Sequence, residues 1–389
     1  METPSKKLRI GIDARYYTLP GGIGTYLREL ISNLEKLDTS DFEFVIFIEK
    51  AAVGVYKPTK PNFRTVVADV PWYTFTEQLK MPAIWGKEHV DLMHYTHFNK
   101  SIFFRSKPYV VTIHDLTYSL QKEKKVRISK LMPGIYEFKY MAYKFAIWDT
   151  IKRARQIIVP THMVKKDIMK AYALPDTAVT VTYEGANEGF SPSKKISGEE
   201  LAKRWGITRP YFVCVSNGSP HKNLKRLTEA FQLFSKENPG YQLVLGGRRN
   251  KFYDELLAWI ETEPTLKESV IYTGELKDEE LKELVASSFS SVFVSLAEGF
   301  GIPLLEGMAS GVPMITSNTS CLPEIGGDAA LYCDPYSPED IARAMTQLTG
   351  DTDLQHKLIT QGFTQLKKFS WRTMAENTLA VYKNALEKK

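Results

Sequence analysis

Short apolar, β-prone runs alternate along this chain with stretches in which apolar positions return every three or four residues. In the first half the runs are Leu8–Asp13, Glu43–Ile48, Arg64–Ala68, Asp91–Tyr95, Tyr109–Ile113 and Gln156–Pro160. After the first of them Ile23, Leu27, Leu30, Ile31 and Leu34 fall on one helical face. In the second half the strand candidates are Tyr211–Val215, Tyr241–Leu245, Ser269–Thr273, Ser291–Ser295 and Val312–Thr316. Helical patterns separate them near Leu224–Lys236, Lys251–Glu263, Asp278–Ser287, Pro338–Leu348 and Asp351–Phe369. Strand–helix alternation of this kind predicts a parallel sheet with helices on both faces. Residues 175–200 are richer in Pro, Gly, Ser and charge, which marks a junction. The expected fold class is therefore α/β: two Rossmann-like doubly wound domains, 1–190 and 191–370, with a cleft between them as the place for a ligand.

The turns between these elements carry the chemistry. Ser291–Leu296 is followed by Glu298-Gly299-Phe300-Gly301 and a helix that Gly311 and Pro313 close. Pro303 suits the first helical position, where its missing N–H costs nothing. The loop then aims backbone N–H groups from a helix N-terminus at one spot, an anion seat. Glu298 and Glu306 flank it, and a carboxylate repels phosphate, so both should face hydroxyls. A ligand with phosphate in its middle and hydroxyls at both ends is a nucleotide sugar. Val215–Asn223 is a second strand-to-helix loop, where Lys222 places a point charge. Arg248 or Arg249, after Val244-Leu245-Gly246-Gly247, supplies a further cation or covers a helix surface. Gly21-Gly22-Ile23-Gly24 sits between strand and helix, as a ligand loop or a tight turn. His114 and Asp115 follow Val110–Ile113 at a strand end, where His is a reactive group or a structural hydrogen-bonder.

Composition changes little of this. No segment reaches the roughly 18 uninterrupted apolar residues that span a bilayer. Met1–Lys7 lacks an apolar signal core, and Cys214, Cys321 and Cys333 form neither a disulfide framework nor a metal site, so a cytoplasmic location is expected. Charge is uneven: residues 1–190 hold 28 Lys and Arg against 20 Asp and Glu. The excess concentrates in Lys100–Lys130, where Ile102, Phe103 and Phe104 are interleaved. Such a patch suits the anionic inner face of the plasma membrane, or is an ordinary solvated surface. No nucleic-acid motif is present, so nucleic acid is not an expected partner.

These residues resemble retaining glycosyltransferases of family four, with GT-B architecture. The resemblance rests on Gly21-Gly22-Ile23-Gly24-Thr25-Tyr26, His114-Asp115 and Pro220-His221-Lys222-Asn223-Leu224. It rests most on Glu298-Gly299-Phe300-Gly301-Ile302-Pro303-Leu304-Leu305-Glu306, the family's Glu-x7-Glu signature. Leu322-Pro323-Glu324-Ile325, Gly327-Asp328-Ala329-Ala330 and Phe369-Ser370-Trp371 extend it over nearly the whole chain, and mannosyltransferase-like members are the most similar. The resemblance implies that Glu306 holds the ribose and that Glu298 holds the sugar with the N–H groups of Phe300, Gly301 and Ile302. Lys222 then neutralises the diphosphate, and His114 lies beside the transferring sugar. Gly21, Gly22, Gly24 and Gly299 belong to the donor-approaching loops, and residues 371–389 form a helix returning to the first domain. Two departures stand out. Positions 217 and 221, where many members carry arginine, hold Asn217 and His221, which shifts neutralisation onto Lys222, the helix and Arg248 or Arg249.

The implied reaction moves a hexose, mannose by the family variant, from GDP-mannose or another nucleoside-diphosphate sugar to a glycan or lipid-linked acceptor. It proceeds by front-face attack, with retained configuration and no metal, in cell-surface glycan or glycolipid synthesis. An Asp-x-Asp sequence, the usual form of a metal clamp, does occur at Asp351-Thr352-Asp353, but it opens a late helix, where acids are caps. Two other readings stay in view: an epimerase or hydrolase of the same architecture, and a non-catalytic nucleotide-sugar sensor.

Overall fold

The structure is a computed structural model that describes residues 7–116 and 133–387, with backbone alone at 133–140, 142 and 143. Its contacts divide the chain into two compact units, Met1–Glu184 with Trp371–Lys389, and Gly185–Ser370.

The first unit holds a seven-stranded sheet: β1 (Leu8–Asp13), β2 (Phe42–Ile48), β3 (Phe63–Val67), β4 (Leu92–Tyr95), β5 (Tyr109–Thr112), β6 (Gln156–Val159) and β7 (Val179–Val181). Their order is β3-β2-β1-β4-β5-β6-β7, all pairs parallel. Strands β4, β5 and β6 are buried at every position, as a sheet covered on both faces requires. The helix Gly22–Lys36 packs Leu27, Leu30, Ile31 and Leu34 inward. The helix Trp371–Glu387 belongs to this unit as well, with Trp371, Met374 and Tyr382 buried. Tyr382 closes it onto the sheet: its hydroxyl lies 2.7 Å from Nδ1 of His94 in β4. Burial, with His114 nearby, pushes the His94 pKa down to about 3, so this imidazole stays neutral.

The second unit holds β8 (Tyr211–Val215), β9 (Gln242–Gly246), β10 (Val270–Gly274), β11 (Ser290–Phe293), β12 (Met314–Ser317) and β13 (Leu331–Cys333), in the order β10-β9-β8-β11-β12-β13 and again parallel. Phe212, Leu243, Leu245, Val292 and Ile315 from its strands meet Leu227, Phe231, Met345 and Leu348 from its helices in one core.

Both edge strands β7 and β13 escape sequence reasoning, because three residues are too few to show a period. Asp351 does cap its helix, accepting the Leu354 N–H at 2.8 Å. One expectation is corrected. Lys100 is no surface cation of a basic patch: it is buried, 3.3 Å from the buried carboxylate of Asp149, and Phe104 is buried too. The rest of the expected basic run, from 117 on, lies outside the described residues.

In each unit the strand order reverses once, between β1 and β4 and between β8 and β11. Loops at the carboxyl ends of such neighbouring strands splay apart and leave room for a ligand.

Candidate functional site

At the switch point of the second unit, β8 runs into the Lys222 loop and β11 into the Glu298 loop. Both loops are fixed by the chain beneath them. Asn223, at φ 63°, caps the helix Leu224–Glu237, and its side-chain amide donates to the carbonyls of Val294 at 3.1 Å and Pro335 at 2.7 Å. The Leu296 N–H donates to the His221 carbonyl at 2.8 Å, tying one loop to the other. Gly247 permits the approach of β9, since a Cβ there would fall 1.8 Å from the Ser216 carbonyl oxygen. Lys222 Nζ consequently reaches Glu298 Oε1 at 2.6 Å, with 16% and 12% of the two side chains exposed.

Ser320 braces the Glu298 loop. Its hydroxyl accepts the Glu298 N–H at 2.9 Å and lies the same distance from the Glu298 carbonyl. Gly301, at φ 100°, caps the helix Ile302–Ala309, so Ile302 takes the first helical position and Pro303 the second, one place later than expected. The side chains of Phe300 and Ile302 are buried, which leaves only their backbone to face a ligand. First-turn N–H groups have no acceptor within their own helix.

Glu306, one turn further on, is buried and accepts from the Asn187 amide at 2.7 Å. Burial pushes its pKa up to about 7, Asn187 offsets part of that, and Asp278 adds to it. Asn187 gave no sequence signal, since it stands in the junction without a motif. Arg248 is exposed beyond β9, and no hydrogen bond or ion pair links it to Lys222 or Glu298. Arg249 pairs with Asp254 at 2.6 Å on the surface.

In the first unit, the glycines expected to form a loop lie at the start of a helix. Gly21, at φ 91°, is its cap, and Gly22 and Gly24 are already helical. A Cβ on Gly24 would meet the Leu19 carbonyl oxygen at 1.9 Å, so this glycine serves the close turn before the helix. Gly21 and Gly22 are exposed with open space around them. His114 lies past β5 with Nε2 3.0 Å from the Thr96 carbonyl, an edge-on contact to Tyr26, and Nδ1 3.7 Å from Glu184. A network that no motif announced sits beside it. Arg15 is wholly buried and binds Asp13 at 2.8 and 2.7 Å and Glu77 at 2.7 Å, while Glu77 also accepts from Asn99.

Two family models match the chain: "Glycosyltransferase Family 4" over residues 20–189 and "Glycosyl transferases group 1" over residues 198–365. Among its relatives, the O-antigen chain mannosyltransferase B of Escherichia coli is 28% identical over 61% of this chain. The O-antigen chain mannosyltransferase RfbU of Salmonella typhimurium is 27% identical over 60% of it. Each alignment spans 63% of the relative's own length. Solved structures share the fold at low identity. A glycosyltransferase from Rickettsia africae has a TM-score of 0.72 at 16% identity, over 99% of this chain and all of that one. WaaG, a glycosyltransferase involved in lipopolysaccharide biosynthesis, has a TM-score of 0.69 at 14% identity, over 96% and 99%. Two parallel-sheet α/β domains of this kind are the GT-B architecture. With one model matched to each unit, the chain belongs to glycosyltransferase family four.

Proposed function

We propose that the chain transfers a hexose, mannose by analogy with the two bacterial relatives, from a nucleoside-diphosphate sugar to a glycan or lipid-linked acceptor in cell-surface glycan synthesis. One observation carries this reading: a lysine and a glutamate 2.6 Å apart at the switch point of a parallel sheet, beside a helix N-terminus, with a second buried glutamate behind. Among solved structures, HepE of Anabaena, seen in complex with UDP and glucose, shares the fold at a TM-score of 0.71 and 17% identity, over 97% of this chain and all of that one.

The Lys222–Glu298 pair is a ground-state arrangement that a donor divides. Lys222 turns to the diphosphate, and Glu298 is left to accept hydroxyl protons from the sugar. The N–H groups of Phe300, Gly301 and Ile302 complete the sugar and phosphate seat, and Glu306 takes the ribose. Arg248, exposed beyond β9, is assigned as a further cation for the diphosphate. Gly21 and Gly22, both exposed, keep the start of the first unit's helix bare enough for a donor phosphate or acceptor to approach, and buried Gly24 sets the close turn that presents them. The acceptor oxygen attacks the anomeric carbon on the face the diphosphate leaves, and its proton passes to the departing phosphate. Lys222 and the helix dipole stabilise the growing negative charge. No step calls for a metal, so EDTA should leave turnover intact. Loss under EDTA with recovery on manganese would overturn that part.

The donor reading is tested by a thermal-shift screen of nucleoside diphosphates and their sugars. A bound ligand at about 100 times its Kd should stabilise the second unit by about 2.7 kcal/mol. No shift with any of them defeats the reading. Incubating the bound donor without acceptor separates the alternatives: epimerised sugar would identify an epimerase, and slow hydrolysis or intact donor a transferase.

Glu306 makes donor binding pH-dependent. Its carboxyl is protonated below about 7 in the unliganded protein, and only the ionised form accepts both ribose hydroxyls. Donor affinity should therefore rise as pH goes from 6 to 8, with proton release on binding. For stability the sign is opposite. The folded pKa lies above the ordinary 4.5, so the unliganded fold loses stability as pH rises through about 7. Glu306→Gln should abolish both trends and weaken donor binding at pH 8 by about tenfold or more. Calorimetric titration at pH 6, 7 and 8 checks this, and an unchanged pH profile in the variant rejects the ribose assignment.

No helix among the described residues is long and apolar enough to cross a membrane. The proposed cytoplasmic site of action at the inner face of the plasma membrane rests on the basic composition of residues 1–190.

A further inference from the structure

Past the carboxyl ends of β1, β4 and β5 a row of aromatic rings leads away from His114. His97, just after β4, stacks near His114 with ring centres 6.4 Å apart. Tyr16, just after β1, meets His97 at 5.5 Å and lies flat on Trp72 at 4.7 Å and 19°. Tyr73 stands edge-on to His97 at 6.4 Å, with 57% of its surface exposed.

Tyr73 has a left-handed backbone, φ 56°, which a bulky side chain adopts only when its surroundings enforce it. The enforcing group is Glu77, which accepts the Tyr73 N–H at 2.8 Å. Glu77 is itself buried, and Arg15 and Asn99 hold its carboxylate. A buried charge network thus supports an exposed ring in a strained conformation. Core packing does not account for this, because the ring is largely in solvent. Strain of this kind gathers where a ligand is met.

We propose that Trp72 and Tyr73, backed by Tyr16 and His97, form the subsite for a hexopyranose ring of the acceptor. The assignment rests on the glycosyl-transfer reading above. A pyranose has one face of C–H bonds and an edge of hydroxyls. A flat aromatic surface takes the first, and polar groups at its border take the second. Here the border groups are the Tyr73 hydroxyl and the His97 imidazole, whose Nδ1 lies 3.4 Å from that hydroxyl. Burial and the nearby His114 keep His97 uncharged, so it both donates to and accepts from hydroxyls. The acceptor is accordingly a sugar at the end that receives the new residue, rather than a bare lipid phosphate.

Saturation-transfer NMR on the full chain with methyl α-mannoside, methyl α-glucoside and methyl α-galactoside tests this without needing the natural acceptor. At least one should show transfer to its ring C–H protons. Tyr73→Gly and Trp72→Ala should each weaken that binding about tenfold. Glycine adopts positive φ freely, so Tyr73→Gly removes the ring and leaves the backbone as it was. No transfer from any pyranoside in the wild type, or binding unchanged in both variants, overturns the subsite. So does phosphatidylglycerol-vesicle binding that Tyr73→Gly abolishes while no pyranoside is contacted, which would assign the ring to a membrane. A GDP or UDP thermal shift on the same samples reads the donor site separately. Its absence defeats the transferase reading, and its presence beside a failed pyranoside test defeats only the subsite.

Discussion

Lys222→Ala should lower turnover by about 10²- to 10³-fold, the effect of removing one preorganised group that meets developing charge. The charge it supplies is not carried on a loose arm. Asn223, the next residue, anchors the loop to the carbonyls of Val294 and Pro335, and Glu298 holds the ammonium at 2.6 Å until a donor arrives. In the proposed reaction the diphosphate gains negative charge as the sugar departs, so the lysine contributes most in the transition state. Donor Kd should change far less than kcat. Arg248 shows no bond to the cluster, so compensation should be small. Lys222→Arg should recover part of the rate, since it keeps the charge and changes its shape. A purified Lys222→Ala protein with intact nucleotide-induced thermal shift and wild-type turnover would remove the lysine from the mechanism.

The parts of this site that were legible in the sequence are those made by local chain geometry. Strand, glycine loop and helix in succession place Glu298, Gly301 and Ile302 at the carboxyl edge of a parallel sheet whatever the rest does. The Lys222 loop is legible for the same reason. What pairs with what was not legible. Asn187 meets Glu306 across 119 residues, and Lys100 finds Asp149 across 49. Nothing local distinguishes Lys100 from the basic residues around it, and only tertiary packing turns it inward. The Gly21–Gly24 stretch shows a subtler limit. Its composition permits a loop, while the structure makes it a helix start because Leu19 closes against Gly24. His114 is legible because it follows a strand, whereas Arg15 carries no local signal and is recognised only once Glu77 is folded against it.

That network carries the largest expected effect on stability. Arg15 has no exposed surface, and Asp13, Glu77 and the Val70 carbonyl accept its guanidinium hydrogens. Burial opposes the arginine's charge, and the two carboxylates outweigh it and raise its pKa. Burial also raises the pKa of Glu77, with Arg15 and Asn99 pulling the other way. Replacing the cation by a similar apolar volume, Arg15→Met, leaves buried carboxylates without their partner and should cost about 3–5 kcal/mol. The cost should depend on pH in a definite direction. Without Arg15 the folded pKa of Glu77 rises further, so the folded state holds a proton that the unfolded chain releases. Stability is then retained in acid and lost as pH rises through that pKa, so the deficit is largest at neutral and alkaline pH. Arg15→Met with Glu77→Gln should recover part of the loss, because the two sites share one interaction. Two units need not unfold together, so a single global midpoint is a poor reading. Native-state hydrogen exchange at β1 and β4 in urea, at several pH values, reports on the affected sheet directly. A variant within about 0.5 kcal/mol of wild type throughout, the range of an ordinary surface substitution, would show that the network contributes no net stability. Since Glu77 also holds Tyr73, exchange at the Tyr73 amide should rise in Arg15→Met even where the sheet stays closed.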